Sequence, residues 1–71
     1  MQRNNAKTVL NALELLAKSI GGRQKCPINF NAYVSVVFEY NNFVYVLFVN
    51  NEPDKVLDRS EALAYIKRNS L

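Results

Sequence analysis

The chain has 71 residues and a mass of 8.1 kDa, so we expect one small domain with a single core. Hydrophobic residues make up 49% and charged residues 21%, a balance typical of folded globular proteins that excludes a disordered tail. The net charge is +3, and the sequence contains no histidine and only one cysteine. It therefore lacks the side chains of most metal sites and of histidine acid–base catalysis.

Small size makes stability a problem for this chain. A domain of this length buries only about 60% of the surface that its unfolded form exposes, so an additional stabilising element is usually needed. Cys26 is the only cysteine and cannot form an internal disulfide. Association with a second copy or another protein is the remaining common solution.

The chain carries no pattern typical of a targeting or membrane segment. No apolar run approaches the ~20 residues of a membrane span, and the first residues lack the apolar core of a signal peptide. A lone cysteine suits a reducing compartment. These features predict a cytoplasmic protein.

Residues 5–20 have the apolar spacing of an amphipathic helix. The predicted buried stripe follows i, i+4, i+7 and i+11 and is formed by Val9, Leu13, Leu16 and Ile20. Leu10, Ala6 and Ala17 flank it, and Leu10, Ala12 and Leu15 widen it. Asn4 or Asn5 is the expected N-cap, and Gly21 is the expected left-handed residue after the last turn.

Residues 21–31 form a predicted connector. Pro27 forbids a continuing helix and favours extended geometry at Cys26. Ile28 and Phe30 alternate with asparagines, so the end of the connector leads toward a strand.

The centre of the sequence predicts a β-hairpin. Two strands rich in β-branched and aromatic residues, Tyr33–Tyr40 and Phe43–Asn50, flank a turn at Asn41-Asn42. This turn sets the register of the hairpin and places four cross-strand pairs on one apolar face. The pairs are Tyr40 with Phe43, Phe38 with Tyr45, Val36 with Leu47, and Val34 with Val49. That face is expected to pack against the helices.

The opposite face of the hairpin is the predicted interaction surface. Two short helices cover only one side of a sheet, so an apolar cluster is left over on the other side. Its residues are Val37, Val44, Val46, Phe48 and Tyr33, with Ser35, Glu39 and Asn50 around them.

The last part of the chain predicts a turn, a possible third strand and a second helix. Lys55–Leu57 has the composition to return along the second hairpin strand. Asp58 and Glu61 have the spacing of a capping box for a helix over residues 59–69. The predicted fold class is α+β, with the order α-β-β-(β)-α and a central antiparallel hairpin packed on one face by both helices.

Positive charge is concentrated in the first 30 residues. This part has five cationic side chains and one carboxylate, which gives a net charge of +4. Residues 31–71 have four cationic side chains and five carboxylates, which gives a net charge of −1. A basic patch formed by Lys7, Lys18, Arg23 and Lys25 would suit an acidic partner or nucleic acid. An ordinary solvated helix face also explains cations that are few and widely spaced, and we favour this interpretation.

The hairpin also carries six aromatic residues, which single-strand binders display for base stacking. The predicted register places most of these rings in the core and leaves only Tyr33 and Phe48 outside. No lysine or arginine occurs between Cys26 and Pro53, so a stacking platform is disfavoured.

No group of residues has the pattern of an active site. Cys26 has cationic neighbours but no histidine to activate it, and an inert cysteine is the favoured interpretation. Carboxylates occur in a turn (Glu52 and Asp54) and in a helix cap (Asp58 and Glu61). We therefore predict a protein that is not an enzyme and needs no cofactor or metal.

The combined prediction is a small binding or regulatory module that forms a homodimer, or binds another protein, through the outer sheet face and the hairpin edge. The edge of the second hairpin strand is long and uncharged unless Val56 and Leu57 cover it. Two alternatives stay open. Residues 26–31 could fold back over the face of a monomer, or the basic N-terminal helix and loop could bind nucleic acid. No membrane partner is predicted.

Overall fold

The computed structural model describes residues 5–68, which form two helices and a four-stranded antiparallel sheet. The elements in chain order are α1 (Ala6–Ser19), β1 (Gln24–Asn29), β2 (Ala32–Glu39), β3 (Asn42–Val49), β4 (Glu52–Leu57) and α2 (Arg59–Arg68). The strands follow one another across the sheet in the order β1-β2-β3-β4. The α+β class and the packing of both helices on the sheet are confirmed, and the possible third strand is present as β4.

The predicted connector contains an additional strand. β1 pairs with β2 from Gln24 opposite Val36 to Asn29 opposite Ala32. The lysine, proline and asparagine of β1 are poor strand formers, so its conformation depends on the neighbouring strand β2 rather than on its own composition. Because β1 and β4 flank the hairpin, β2 and β3 have no open edge, and the predicted hairpin edge is not available for pairing.

The hairpin turn lies one residue earlier than predicted. Tyr40 and Asn41 are the two turn residues, with φ of 52° and 62°, as a primed turn requires. Each β2 residue therefore pairs with a β3 residue two positions earlier than predicted, with Phe38 opposite Phe43 and Val34 opposite Leu47. A register change of two residues preserves which side chains share a face. Tyr40, however, was predicted in the core and is 92% exposed.

The hydrophobic core lies between the helices and the inner face of the sheet. Its buried members are Ala6, Leu10, Ala17, Val34, Val36, Tyr45, Leu47, Leu57, Ala62 and Ile66. The hairpin residues in this set are those predicted to face the helices. Partly buried Phe38, Phe43 and Val49 pack against them.

The buried face of α1 is centred on the residues predicted to flank the stripe, and Val9 and Leu13 of the predicted stripe are partly buried against the core. Ala6, Leu10 and Ala17 are buried, whereas Leu16 is 43% and Ile20 is 73% exposed. The observed stripe has the same spacing but begins three residues earlier, which rotates the helix by ~60° about its axis. Two small alanines let the helix backbone approach the sheet, and Leu15 points to solvent with 68% exposure.

The predicted helix ends are confirmed where the structure describes them. Asn5 caps α1 by accepting a hydrogen bond from the Thr8 N–H at 2.8 Å, and Gly21 follows with φ of 78°. Asp58 and Glu61 form the reciprocal capping box of α2 at 2.8 and 3.0 Å. Asn4 and Asn69, predicted as a possible cap and as the end of α2, lie outside the described residues.

Candidate functional site

The outer face of the sheet, opposite the helices, carries the predicted interface residues. Strand alternation places Tyr33 and Val37 of β2 there, beside Val44, Val46 and Phe48 of β3. The edge strands enlarge this face. Lys25 lies opposite Ser35 on β1, and Val56 lies opposite Val46 on β4.

One part of the outer face is a valine patch, formed by Val37, Val44, Val46 and Val56. Val37 pairs with Val44, and Val46 pairs with Val56 across adjacent strands, so the four side chains are contiguous. Val56 is 72% exposed, and the other three are half-buried. Because both helices lie on the other side of the sheet, neither of them covers these side chains.

The other part of the outer face holds two aromatic rings and two cations. The rings of Tyr33 and Phe48 are stacked, with 4.9 Å between centroids and 5° between planes. The Arg23 guanidinium carbon is 4.7 Å from the Phe48 ring centroid, and Lys25 Nζ is 5.1 Å from that of Tyr33. The expectation that these rings lack neighbouring cations was wrong. Lys25 lies in β1 and Arg23 immediately precedes it, and the sequence did not reveal β1 as a strand.

The guanidinium of Arg23 is held in place by hydrogen bonds. Its Nη1 donates to Ser35 Oγ at 3.0 Å, and that hydroxyl donates to the Val46 carbonyl at 3.2 Å. Ser35 is completely buried beneath these groups. Gly21 and Gly22, both at φ of 78°, redirect the chain between α1 and Arg23. An alternating pattern of Arg23, Lys25 and Pro27 was the only sequence signal for this arrangement.

A cleft of about 340 Å³ adjoins the aromatic rings at the end of the sheet where the β1–β2 and β3–β4 turns meet. Its lining combines one cation, two aromatic rings and four asparagine side chains: Lys25, Pro27, Asn29, Phe30, Asn31, Ala32, Tyr33, Asn50 and Asn51. We call this the tip cleft. The two turns are joined because the Asn50 N–H donates to the Asn31 carbonyl at 2.7 Å. Phe30, in the β1–β2 turn, is fully exposed.

The predicted basic residues do not form one patch. Arg23 and Lys25 lie on the outer face, whereas Lys7 and Lys18 are exposed on α1, which packs on the inner face. Lys18 Nζ lies 5.6 Å from the ring centroid of Phe38, a residue packed against the core. The sheet therefore separates the four residues into two pairs.

A polar cluster joins the helices to the inner face of the sheet. Glu14 of α1 accepts hydrogen bonds from the Tyr45 hydroxyl and from Arg59 Nε, the latter at 2.9 Å. Arg59 also donates to Asn11 Oδ1 at 2.8 Å. Burial, followed by the hydrogen bond to Glu14, raises the pKa of Tyr45 to about 12. The cluster ties α1, α2 and β3 together.

Few other side chains in the part of the chain that the structure describes could take part in catalysis or bind a metal ion. Burial raises the pKa of the Cys26 thiol, which disfavours the reactive thiolate. Residues 5–68 contain no group of three or more cysteine or carboxylate side chains that could hold a metal ion. No helix within these residues is long and apolar enough to cross a membrane.

The chain matches no protein-family model, no curated protein and no solved structure. The geometry of its own side chains is therefore what indicates its function.

Proposed function

We propose that the protein is a non-enzymatic binding module that forms a homodimer by packing two valine patches face to face. The observation that carries this proposal is the exposed apolar cluster on the outer face, where Val56 keeps 72% of its surface accessible. Contiguous apolar surface of this kind is typical of association sites. We place the module in a reducing compartment such as the cytoplasm, since its one cysteine is free.

The strand edges favour association through the face rather than through strand pairing. β1 contains Pro27, and β4 contains Pro53 between the exposed carboxylates Glu52 and Asp54. Proline lacks the N–H that an incoming strand would require, and edge charges oppose pairing. Two outer faces can instead stack about 10 Å apart, as the sheets of a β-sandwich do.

The small size of the patch limits the strength of this dimer. The patch consists of two cross-strand valine pairs on three strands that are spaced ~4.8 Å apart. Its contact area is therefore a few hundred Å² on each partner. Stable specific complexes bury ~1,200–2,000 Å² in total, so the valine patch alone supports a dissociation constant of micromolar order.

Sedimentation equilibrium of the wild type and two matched variants tests the proposal. Val56→Glu places a charge in the patch. Leu15→Glu is the control, because it places the same charge on α1 at an apolar residue that is 68% exposed, close to the 72% of Val56. At roughly 100 µM we expect a dimer for the wild type and for Leu15→Glu, but a folded monomer for Val56→Glu. Circular dichroism verifies that the variants are folded.

A wild type with the 8.1 kDa mass of one chain at this concentration would refute the proposal. A Val56→Glu variant that still dimerises would show that association uses another surface.

A further inference from the structure

We infer that the aromatic pair, its two cations and the tip cleft form a binding site for single-stranded nucleic acid. One unpaired base enters the tip cleft and stacks on an aromatic ring, while adjacent phosphates contact Arg23 and Lys25. This site uses residues outside the valine patch and does not depend on dimerisation.

The exposed ring of Phe30 is the first observation behind the inference. Phe30 is 101% exposed and packs against no part of the described core, so its ring does not contribute to folding through burial. It lines the tip cleft together with Tyr33. Flat aromatic surface beside a cleft offers stacking to any nucleic-acid base, because every base has a π face.

The cations beside the rings are the second observation. Neither Arg23 nor Lys25 makes an ion pair within residues 5–68, so their charges are free to meet phosphate. Arg23 is pre-positioned, because Nη1 donates to Ser35 Oγ and the guanidinium carbon lies 4.7 Å from the Phe48 ring centroid. Nε and Nη2 retain donors for a ligand. Holding the side chain before binding lowers the entropic cost of contacting an anion.

The lining of the tip cleft is the third observation. Some asparagine atoms bond within the cleft, because Asn31 Nδ2 donates to Asn50 Oδ1 at 3.5 Å and Asn29 Oδ1 accepts from the Asn31 N–H at 3.0 Å. The remaining amide donors and acceptors are groups that read the edges of unpaired bases. None of its lining residues is acidic, so the cleft does not repel a phosphate backbone. Its volume of about 340 Å³ lies within the range of small-ligand sites.

These features favour a single strand over a duplex and over an acidic peptide. A base must leave its stack to enter the cleft, which an intact duplex resists. An acidic peptide would use the two cations but would gain little from the exposed Phe30 ring and the asparagine amides.

The binding of a fluorescent oligothymidylate of about twelve nucleotides, followed by anisotropy at low salt, tests the site. We expect Phe30→Ala to weaken binding about tenfold, since it removes one stacking surface. Matched controls are available. Tyr40→Ala removes a similarly exposed ring at the opposite end of the sheet, and Lys7→Gln removes an exposed cation from α1. Neither should change the affinity, whereas Lys25→Gln should weaken it.

The salt dependence gives a second readout. Contact with two phosphates predicts a slope of about −1.4 for the logarithm of the binding constant against the logarithm of salt concentration, and loss of about half of this slope in Lys25→Gln. Val56→Glu should bind as the wild type does, which separates this site from the valine patch.

Any of the following results would overturn the inference. They are no binding at roughly 100 µM protein, equal affinities for Phe30→Ala and Tyr40→Ala, or displacement of the oligonucleotide by polyglutamate as readily as by unlabelled oligothymidylate. A duplex that competes as well as the single strand would equally contradict it.

Discussion

Tyr45 connects β3 to the Glu14–Arg59 cluster, and Tyr45→Phe removes one hydroxyl from this junction while keeping the ring. The residue is 6% exposed, and its hydroxyl donates to the Glu14 carboxylate. A hydrogen bond to a charged group contributes about 1.5–3 kcal/mol to stability. We expect a loss near the lower end of that range at neutral pH, because Arg59 continues to hold Glu14 in the variant.

The pH dependence of this difference follows from the raised pKa of Tyr45. Between the ordinary value of 10.0 and the folded value of about 12, the unfolded chain is ionised at this residue whereas the folded protein remains protonated. Unfolding then releases a proton, so the contribution is fully present below pH 10 and is lost as pH rises to about 12.

Urea denaturation followed by circular dichroism, at one protein concentration and at several pH values, measures the free energy of unfolding. The stability difference between the wild type and Tyr45→Phe should shrink between pH 10 and pH 12. All other residues are the same in both proteins, so their effects cancel in the comparison. Tyr40→Phe is the matched control, since Tyr40 is 92% exposed and loss of its hydroxyl should leave the stability unchanged. A difference that stays constant across this range would refute the assignment of the hydrogen bond.

Two further predictions concern local backbone features. Asp58→Ala removes the cap of α2 and should lower the free energy of unfolding by about 1 kcal/mol in the same urea titrations. Asp54 is an exposed carboxylate outside any helix, so Asp54→Ala should leave the free energy of unfolding nearly unchanged. The double substitution Tyr40→Asn with Asn41→Gly gives the turn residues that tolerate positive φ best and should raise the melting temperature through about 1 kcal/mol of added stability. No change on losing the cap, or a lower melting temperature of the turn variant, would contradict the respective backbone assignments.

Local sequence patterns were sufficient for the elements whose signals are contained within a few residues. The Asp58–Glu61 box, Gly21 after α1 and the alternation in the hairpin predicted the corresponding structures correctly. The division of the hairpin into two faces was correct even though the turn was misplaced by one residue. The two faces were preserved because the register changed by two residues and side chains alternate between the faces with a period of two.

The errors arose where distant contacts decide the outcome. α1 carries two overlapping apolar stripes, and its orientation brings Glu14 toward Arg59, 45 residues away in the chain. The turn at Tyr40-Asn41 gives a register that places Phe38 beside Phe43, with ring centroids 4.8 Å apart. β1 exists as a strand because β2 offers it hydrogen bonds, and its own residues favour this conformation weakly.

The sequence by itself determined the fold class, the helix-facing side of the hairpin and the leftover apolar surface on the other side, because these follow from short-range periodicity. The tertiary structure alone decided that Arg23 and Lys25 lie over Phe48 and Tyr33 and that Phe30 stands beside a cleft. Those groups are up to 25 residues apart in the chain. Only the pairing of β1 with β2 and of β2 with β3 brings them onto one face. Strand pairing is a non-local interaction, so no window of sequence contains it.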